Sequence, residues 1–275
     1  MRVGLCQYES LSGKFKENLD KVLHGLALAD RDRLEIVCFP ECFLTGYQDH
    51  EDAAREHAFA ADSPQIMELL DRTSQFDSTL IVGFNELRGK DLYNTALVAQ
   101  KGHVLGMYSK CMTLMPFHTP GREFPIFERG DVKFGVVICA DGGYIEPARI
   151  LALKGARIIF APHYNYINMR GLIDHFQQVR HDHVARAVEN TVYFLRCNNV
   201  GVGKEEGVTS YDGQAYGDSY IVDPYGEIVI RSRRRKEDFI FADIDPTITD
   251  TSRKIGRSRH SIRELSQQLL DAAGK

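Results

Sequence analysis

No apolar stretch in this 275-residue sequence approaches the ~18 residues that a membrane span needs. The N-terminal run Met1-Arg2-Val3-Gly4-Leu5-Cys6-Gln7 turns polar before a signal-peptide core forms. A cytoplasmic protein with no membrane partner is therefore the expectation. C-x-x-C pairs are also lacking, although there are six cysteines, at 6, 38, 42, 111, 139 and 197. Cys38 and Cys42 flank Phe39-Pro40-Glu41 without a second Cys/His pair at zinc-site spacing, so reduced thiols are expected and a metal site is not. Nor is there an excess of positive charge. The net charge of −4 leaves no global field to attract nucleic acid or anionic lipid. The one dense basic run, Arg231-Ser232-Arg233-Arg234-Arg235-Lys236, lies between two strand-like segments and reads as a solvated hairpin tip. Internal repeats, low-complexity segments and linkers are missing too, which favours one domain.

What is present is an alternation of short β-branched runs with amphipathic stretches. Strands are expected at Val3–Tyr8, Leu34–Phe39, Thr79–Phe84, Leu92–Ala99, Val104–Ser109, Val132–Cys139, Ala156–Ala161, Thr191–Cys197, Gly217–Val222, Glu227–Arg231 and Phe239–Ile244. Apolar residues at Phe15, Leu19, Val22, Leu23 and Leu26 form one helical face. Further helices are expected at Pro64–Ser74, Ile145–Lys154 and Gly171–Glu189. Leu92–Ala99 and Val104–Ser109 succeed each other without a helix between them, which predicts an antiparallel hairpin. Helices after parallel-type strands, together with hairpins, indicate a mixed α/β sandwich. The division is a domain over 1–245 and a tail over 246–275, whose final helix carries Leu265, Leu269 and Leu270 and packs on the domain or on a partner subunit.

Three reactive residues sit just beyond apolar strands: Glu41 after L-E-I-V-C-F-P, Lys110 after V-L-G-M-Y-S, and Cys139 after F-G-V-V-I. Ligands of open α/β sheets bind beyond the carboxyl ends of strands, so these tips can converge. Their chemistry is coherent. A free thiol with a pKa near 8.5 is mostly protonated at neutral pH. A carboxylate within reach takes its proton and then hands that proton to a departing amine. A lysine ammonium supports the charge that develops on the carbonyl oxygen. Taken singly, each residue has an ordinary explanation: a buried structural cysteine, a loop glutamate, a surface lysine.

The surrounding strings sharpen the reading. Phe39-Pro40-Glu41-Cys42-Phe43-Leu44-Thr45-Gly46-Tyr47, Tyr108-Ser109-Lys110, Gly135-Val136-Val137-Ile138-Cys139-Ala140-Asp141 with Glu146-Pro147-Ala148-Arg149, Ala185-Arg186-Ala187-Val188-Glu189-Asn190, and Tyr220-Ile221-Val222-Asp223-Pro224-Tyr225-Gly226 occur in that order. They resemble, in the same order, the motifs of the nitrilase superfamily, the carbon–nitrogen hydrolases. The resemblance implies a four-layer α-β-β-α sandwich with mixed sheets, commonly paired into a homodimer through helices. It implies a triad of Glu41 as base, Lys110 as oxyanion support and Cys139 as nucleophile, with a thioacyl-enzyme and no cofactor. The backbone N–H of Ala140 is the candidate oxyanion donor, and Glu146 and Arg149 are a candidate ion pair beneath the nucleophile, against an ordinary helix-surface pair. Tyr47, Phe117, His163 and Asn165 are candidates to line the pocket for a small amide-like substrate. Equally, the aromatics among them pack under a loop.

One departure stands out. The family usually carries a second glutamate between the lysine and the cysteine, before a T-P-G-like segment. Here residues 110–121 contain no carboxylate, and Glu123 lies on the wrong side of Thr119-Pro120-Gly121. His118 is the candidate to take that place, against the plainer reading of an incidental loop histidine. Cys139-Ala140-Asp141 resembles the amidase and carbamoylase branches more than true nitrilases, which tend to have C-W-E there. Hydrolysis of an amide or N-carbamoyl group with release of ammonia is thus expected ahead of nitrile hydrolysis, acyl transfer to an amine, or a catalytically silent binding protein.

Overall fold

The computed structural model describes residues 1–201, 213–249 and 262–274. Fourteen strands are found among them: β1 Arg2–Gln7, β2 Ile36–Cys38, β3 Thr79–Arg88, β4 Asp91–Gln100, β5 His103–Ser109, β6 Phe127–Arg129, β7 Val132–Val136, β8 Ile158–His163, β9 Tyr166–Ile167, β10 Tyr193–Asn198, β11 Gln214–Ala215, β12 Tyr220–Val222, β13 Ile228–Arg231 and β14 Asp238–Asp243. The helices are α1 Phe15–Arg31, α2 Glu51–His57, α3 Pro64–Thr73, α4 Ile145–Leu153, α5 Leu172–Asn190 and α6 Ile262–Ala273. Two six-stranded sheets form, in the orders β14-β1-β2-β3-β4-β5 and β13-β12-β10-β8-β7-β6. Each is mixed. β1, β2 and β3 run parallel, as do β7, β8 and β10, and antiparallel strands complete the edges.

The period-two alternation of strand side chains explains why these strands read as continuous apolar runs. In β2, Ile36 and Cys38 face the layer between the sheets, which holds Leu5 and Ile81 of their own sheet and Phe134, Ile158, Phe160 and Leu195 of the other. Val37 faces the opposite way, into a layer with Leu19, Val22 and Leu26 of α1 and Ile66 and Leu69 of α3. On the far side of the second sheet, Ile159, Ala161, Phe194 and Val222 pack against Ala148, Leu151 and Ala152 of α4 and Ala187 of α5. Three apolar layers between four layers of structure make the α-β-β-α sandwich that was expected. Each fully buried Leu or Val contributes about 1.5–3 kcal/mol on leaving water. α3 begins where Ser63 accepts a hydrogen bond from the Ile66 N–H at 3.4 Å, with Pro64 in its first turn.

The differences from the sequence reading have identifiable causes. β7 stops at Val136, three residues short of Cys139, because the chain bends into a tight turn there. β8 runs through Pro162 to His163, where a stop was expected. Phe160 O accepts from Val137 N on the β7 side, so two residues on Pro162 faces a flank where β7 has already ended, and its missing N–H costs no ladder bond. α2 was not anticipated, since only Ala54 of its seven residues is buried and no apolar stripe marks it. The basic run is not a hairpin tip. β13 and β14 belong to different sheets, so the run is a crossover between sheet edges, pinned by Arg231 and Arg234 to the buried Asp218 at 3.7 and 3.0 Å. In α6 no residue is buried within the single chain, and Leu265, Leu269 and Leu270 are exposed. No helix among the described residues is long and apolar enough to cross a membrane.

Candidate active site

Glu41 lies in the loop after β2, folded back onto β3. At Gly83 a Cβ would sit 2.4 Å from the Cys42 nitrogen, so only glycine lets the glutamate loop lie this close to the strand. The Glu41 carboxylate is buried. Its Oε1 accepts from Lys110 Nζ at 2.6 Å and from Asn94 Nδ2 at 2.7 Å, and its Oε2 accepts from the Tyr164 N–H at 2.8 Å. Lys110 follows β5 and is held by its own backbone: its N–H donates to Asn94 O and its carbonyl accepts from Gly121 N, both at 2.8 Å. Its side chain is 2 % exposed, which is tolerable for an ammonium only because Glu41 is beside it. Burial opposes the Lys110 charge, yet the Glu41 carboxylate, with Cys139 and Tyr47, more than offsets this and holds its pKa well above the usual lysine value.

Cys139 opens a 3-10 turn over Cys139–Gly143 with φ of +47°. A left-handed non-glycine residue costs roughly 1–3 kcal/mol, and Asp141 shows what holds it there. The buried Asp141 carboxylate accepts from Ile138 N (2.8 Å), Tyr108 Oη (2.7 Å) and Met112 N (2.7 Å). One side chain thus ties the residue before Cys139 to residues two before and two after Lys110. Burial pushes the Asp141 pKa up, against the pull of Lys110 and these donors. Burial also pushes the Cys139 thiol up to about 12, helped by the charge of Glu41 and opposed by Lys110 and by a hydrogen bond from the Tyr164 backbone. At rest the sulfur is therefore a thiol, on which the Glu41 carboxylate and the Lys110 ammonium act in opposite directions. Ala140 follows in the first turn, where N–H groups lack intrahelical acceptors.

From Cys139 opens a cavity of about 380 Å³. Ala140, Gly143, Tyr144, Leu114, His163 and Asn165 line it on one side. On the other stands a face of α5, with His175, Gln178, Val179, Asp182 and His183 at helical spacing. His163 and Asn165 were expected there; Tyr47 and Phe117 are not part of the lining. Tyr47 stacks on Tyr164 at 4.8 Å, and Phe117 packs on the ring of His118, also at 4.8 Å. Burial drives His163 well below the ordinary histidine value, helped by His183 and Arg196. Its ring is thus neutral, with Nδ1–H donating to Ala161 O at 2.7 Å. No group of three or more His, Cys, Asp or Glu among the described residues is arranged to hold a metal ion.

The sequence model of the Carbon-nitrogen hydrolase family matches residues 2–253. The chain belongs to this family. It is 29% identical over 259 residues to the glutamine-dependent NAD(+) synthetase of Thermotoga maritima, with 89% of this chain covered and only 42% of that protein's length. It is 27% identical over 240 residues to an (R)-stereoselective amidase of Pseudomonas sp, covering 85% of this chain and 81% of that one. Its fold is similar to that of an amidase from Nesterenkonia sp. (TM-score 0.80, 21% identity, 98% and 96% of the two chains).

Within this carbon–nitrogen hydrolase, one expectation about the surroundings of Cys139 is corrected. The ion pair beneath the Cys139 turn is not Glu146 with Arg149. α4 buries Pro147, Ala148, Leu151 and Ala152, which turns Glu146 outward, and no ion pair joins the two among the described residues. Arg186 of α5 does that work instead: Nε and Nη2 donate to Gly142 O and Gly143 O, both at 3.3 Å, and Nη1 to Glu189 at 2.6 Å. His118, the candidate to take the second glutamate's place, is a neutral group and not a carboxylate. It is buried, and burial with the Lys110 charge brings it down to about 4. Its Nε2 faces Asn85 Oδ1 at 3.1 Å, while Asn85 Nδ2 is committed to Gln48 at 2.9 Å. A neutral histidine donating to Asn85 is the consistent assignment. Asp141, Tyr108 and Arg186 stood in recognised strings without a role, and Asn94 in none. The α5 wall was legible in principle, since His175, Gln178, Val179, Asp182 and His183 repeat at i, i+3, i+4, i+7 and i+8.

Proposed function

We propose that this carbon–nitrogen hydrolase cleaves a small amide or N-carbamoyl compound through a thioacyl-enzyme on Cys139 and releases ammonia. The observation that carries this reading is the convergence, at the head of one cavity, of a thiol, a carboxylate and an ammonium from three distant loops. For an amide, Glu41 takes the thiol proton as Sγ attacks the carbonyl carbon. The C–O π electrons move to oxygen, which lies against Lys110 and the Ala140 N–H. When the tetrahedral species collapses, the C–N bond breaks and Glu41 returns its proton to nitrogen, so ammonia departs. Water, deprotonated by Glu41, then attacks the thioester, and the carboxylic acid leaves with the thiol restored.

The relatives support this direction. Similar proteins include the Pseudomonas amidase and the omega-amidase NIT3 of Saccharomyces cerevisiae. In the Nesterenkonia amidase, a Glu-to-Gln mutant carries the acetamide moiety of fluoroacetamide on its active-site cysteine. The test is ammonia release from a panel of primary amides, N-carbamoyl amino acids and nitriles, with wild type beside Cys139→Ala. Turnover of an amide or carbamoyl compound that vanishes in the variant is the expected result. Turnover of nitriles alone, acyl transfer to an added amine in excess of hydrolysis, or silence across the panel each overturns it. We also propose a homodimer, on the exposure of Tyr144, Ile145, Leu153 and Ile173 at 49, 51, 49 and 61% on or beside α4 and α5. Large apolar residues gathered on neighbouring elements mark interaction surfaces.

A further inference from the structure

Arg196 lies in the middle of β10, paired with Ala161 of β8, and is wholly buried. A buried guanidinium is ordinarily matched by a carboxylate, because an isolated buried charge costs several kcal/mol. Here none of the described carboxylates accepts a hydrogen bond from it, although the Asp218 charge acts on it from nearby. The nearest in sequence to its partners, Asp218, turns its side chain to Arg180 and Arg234, at 2.9 and 3.0 Å, and to Arg231 at 3.7 Å. Arg196 is held by neutral acceptors alone. Nη1 donates to Gly217 O at 2.9 Å and to Asp218 O, and Nη2 donates to Tyr216 Oη at 2.9 Å and to Asn165 Oδ1 at 2.6 Å. Among the described residues its Nε has no hydrogen-bond partner.

The last of these bonds decides how Asn165 is oriented. A guanidinium only donates, so Asn165 must present its oxygen to Arg196, and its Nδ2 then points at the nucleophile, 3.5 Å from Cys139 Sγ. The Asn165 backbone is fixed as well, its N–H donating to Asn198 Oδ1 at 3.0 Å. We propose that Arg196 is a positioning residue for the nucleophile: it locks the Asn165 amide so that an N–H donates to the Cys139 sulfur, and its positive charge reinforces that donor when the sulfur becomes a thiolate. Lys110 then supports the negative charge from one side and the Arg196–Asn165 pair from the other. A hydrogen bond to the charged form favours that form, and donors polarised by a charge at their far end are the stronger ones. The sequence offers the signal in plain form, a lone arginine inside the strand Tyr193-Phe194-Leu195-Arg196-Cys197-Asn198.

The inference rests on Cys139 being the nucleophile, but its test needs no substrate. The rate of Cys139 alkylation by iodoacetamide, a neutral probe, is followed at pH 8 by peptide mass spectrometry, which counts the half-exposed Cys111 separately. Full-length wild type, Asn165→Leu, Arg196→Met, Arg196→Lys and the Asn165→Leu/Arg196→Met double variant are compared, with circular dichroism as the check on folding. The rate is expected to fall about tenfold in each of the first two variants, the equivalent of one pKa unit. Arg196→Lys is expected to recover part of the loss, and the double variant to fall no further than the singles. A folded Arg196→Met protein that alkylates within twofold of wild type overturns the proposal, as does additivity in the double variant. If Arg196→Met does not fold, Asn165→Leu alkylating at the wild-type rate overturns it. Absence of amide turnover in wild type sinks the hydrolase reading instead and leaves these ratios intact.

Discussion

Replacing Glu41 by glutamine is expected to move turnover and cysteine reactivity in opposite directions. In the wild type the Cys139 thiol is pushed up to about 12, so at pH 8 about one molecule in 10⁴ holds a thiolate. After burial, the charge of Glu41 is the largest contribution to that rise, and Lys110 opposes it. Glutamine keeps the shape and removes the charge, leaving Lys110 to act on the sulfur unopposed. Alkylation of Cys139 at pH 8 should therefore accelerate. In the proposed cycle Glu41 acts as acid and base twice, and losing a general base typically costs 10²–10⁴-fold, or about 3–5 kcal/mol of barrier. Stability falls too. The 2.6 Å pair with Lys110 is broken in the interior, at about 3–5 kcal/mol when the remaining charge is left alone. At about 2–4 °C per kcal/mol for a protein of this size, the melting temperature drops by about 6–20 °C, nearer the low end if Lys110 sheds its proton. The assays are iodoacetamide kinetics resolved by peptide mass spectrometry, ammonia release, and differential scanning calorimetry. If alkylation and turnover fall together by the same factor, the electrostatic account of Glu41 is wrong.

Further outcomes follow from the same geometry. Asp141→Ala orphans three donors at 2.7–2.8 Å, those of Tyr108 and Ile138 in buried bonds. At about 1–3 kcal/mol for each unsatisfied group, it should lower the melting temperature by more than 5 °C and slow Cys139 alkylation together with ammonia release. Arg186→Met removes the bonds to Gly142 O and Gly143 O, and is expected to depress kcat at least fivefold while Glu146→Gln, on the exposed side of α4, leaves kcat within twofold. His118 and His175 both have pKa values lowered from 6.5 to about 4 by burial. Groups depressed on folding contribute stability that is present above the unfolded value and is lost as pH falls through the folded one. Urea midpoints should therefore decline between about pH 6.5 and 4, and His118→Gln should flatten that decline; an unchanged slope refutes the buried neutral histidine. The proposed dimer predicts about twice the 31.1 kDa chain mass by light scattering, with a shift toward the monomer in Ile145→Asp/Ile173→Asp.

Much of this was legible in the residues because strand chemistry and spacing leave few choices. Ile36, Val37 and Cys38 are apolar without alternation, which announces a strand covered on both faces, and both faces are covered. Glu41 and Cys139 each lie three residues past an apolar parallel strand, and Lys110 directly follows the edge strand β5, so reactive groups at strand ends were the signal for all three. The parts that escaped are those set by three-dimensional neighbours. Nothing in Glu146-Pro147-Ala148-Arg149 says which side of α4 faces the core, so the i, i+3 pair looked as good as Arg186 with Glu189. Tyr47 looked like pocket lining because it follows the glutamate loop, yet stacking on Tyr164 takes its ring out of the cavity. Asp141 is a single carboxylate whose three donors come from Tyr108, Met112 and Ile138, two of them about thirty residues away, and local pattern carries no trace of such a junction.

The central claim is a thioacyl bond on Cys139, and acid quenching during steady-state turnover of a primary amide, followed by intact and peptide mass spectrometry, tests it most directly. The account predicts an adduct equal to the substrate minus ammonia on the peptide containing Cys139 in wild type, and neither adduct nor ammonia from Cys139→Ala. Ammonia release that persists in Cys139→Ala, or an acyl group found on another residue, would contradict it.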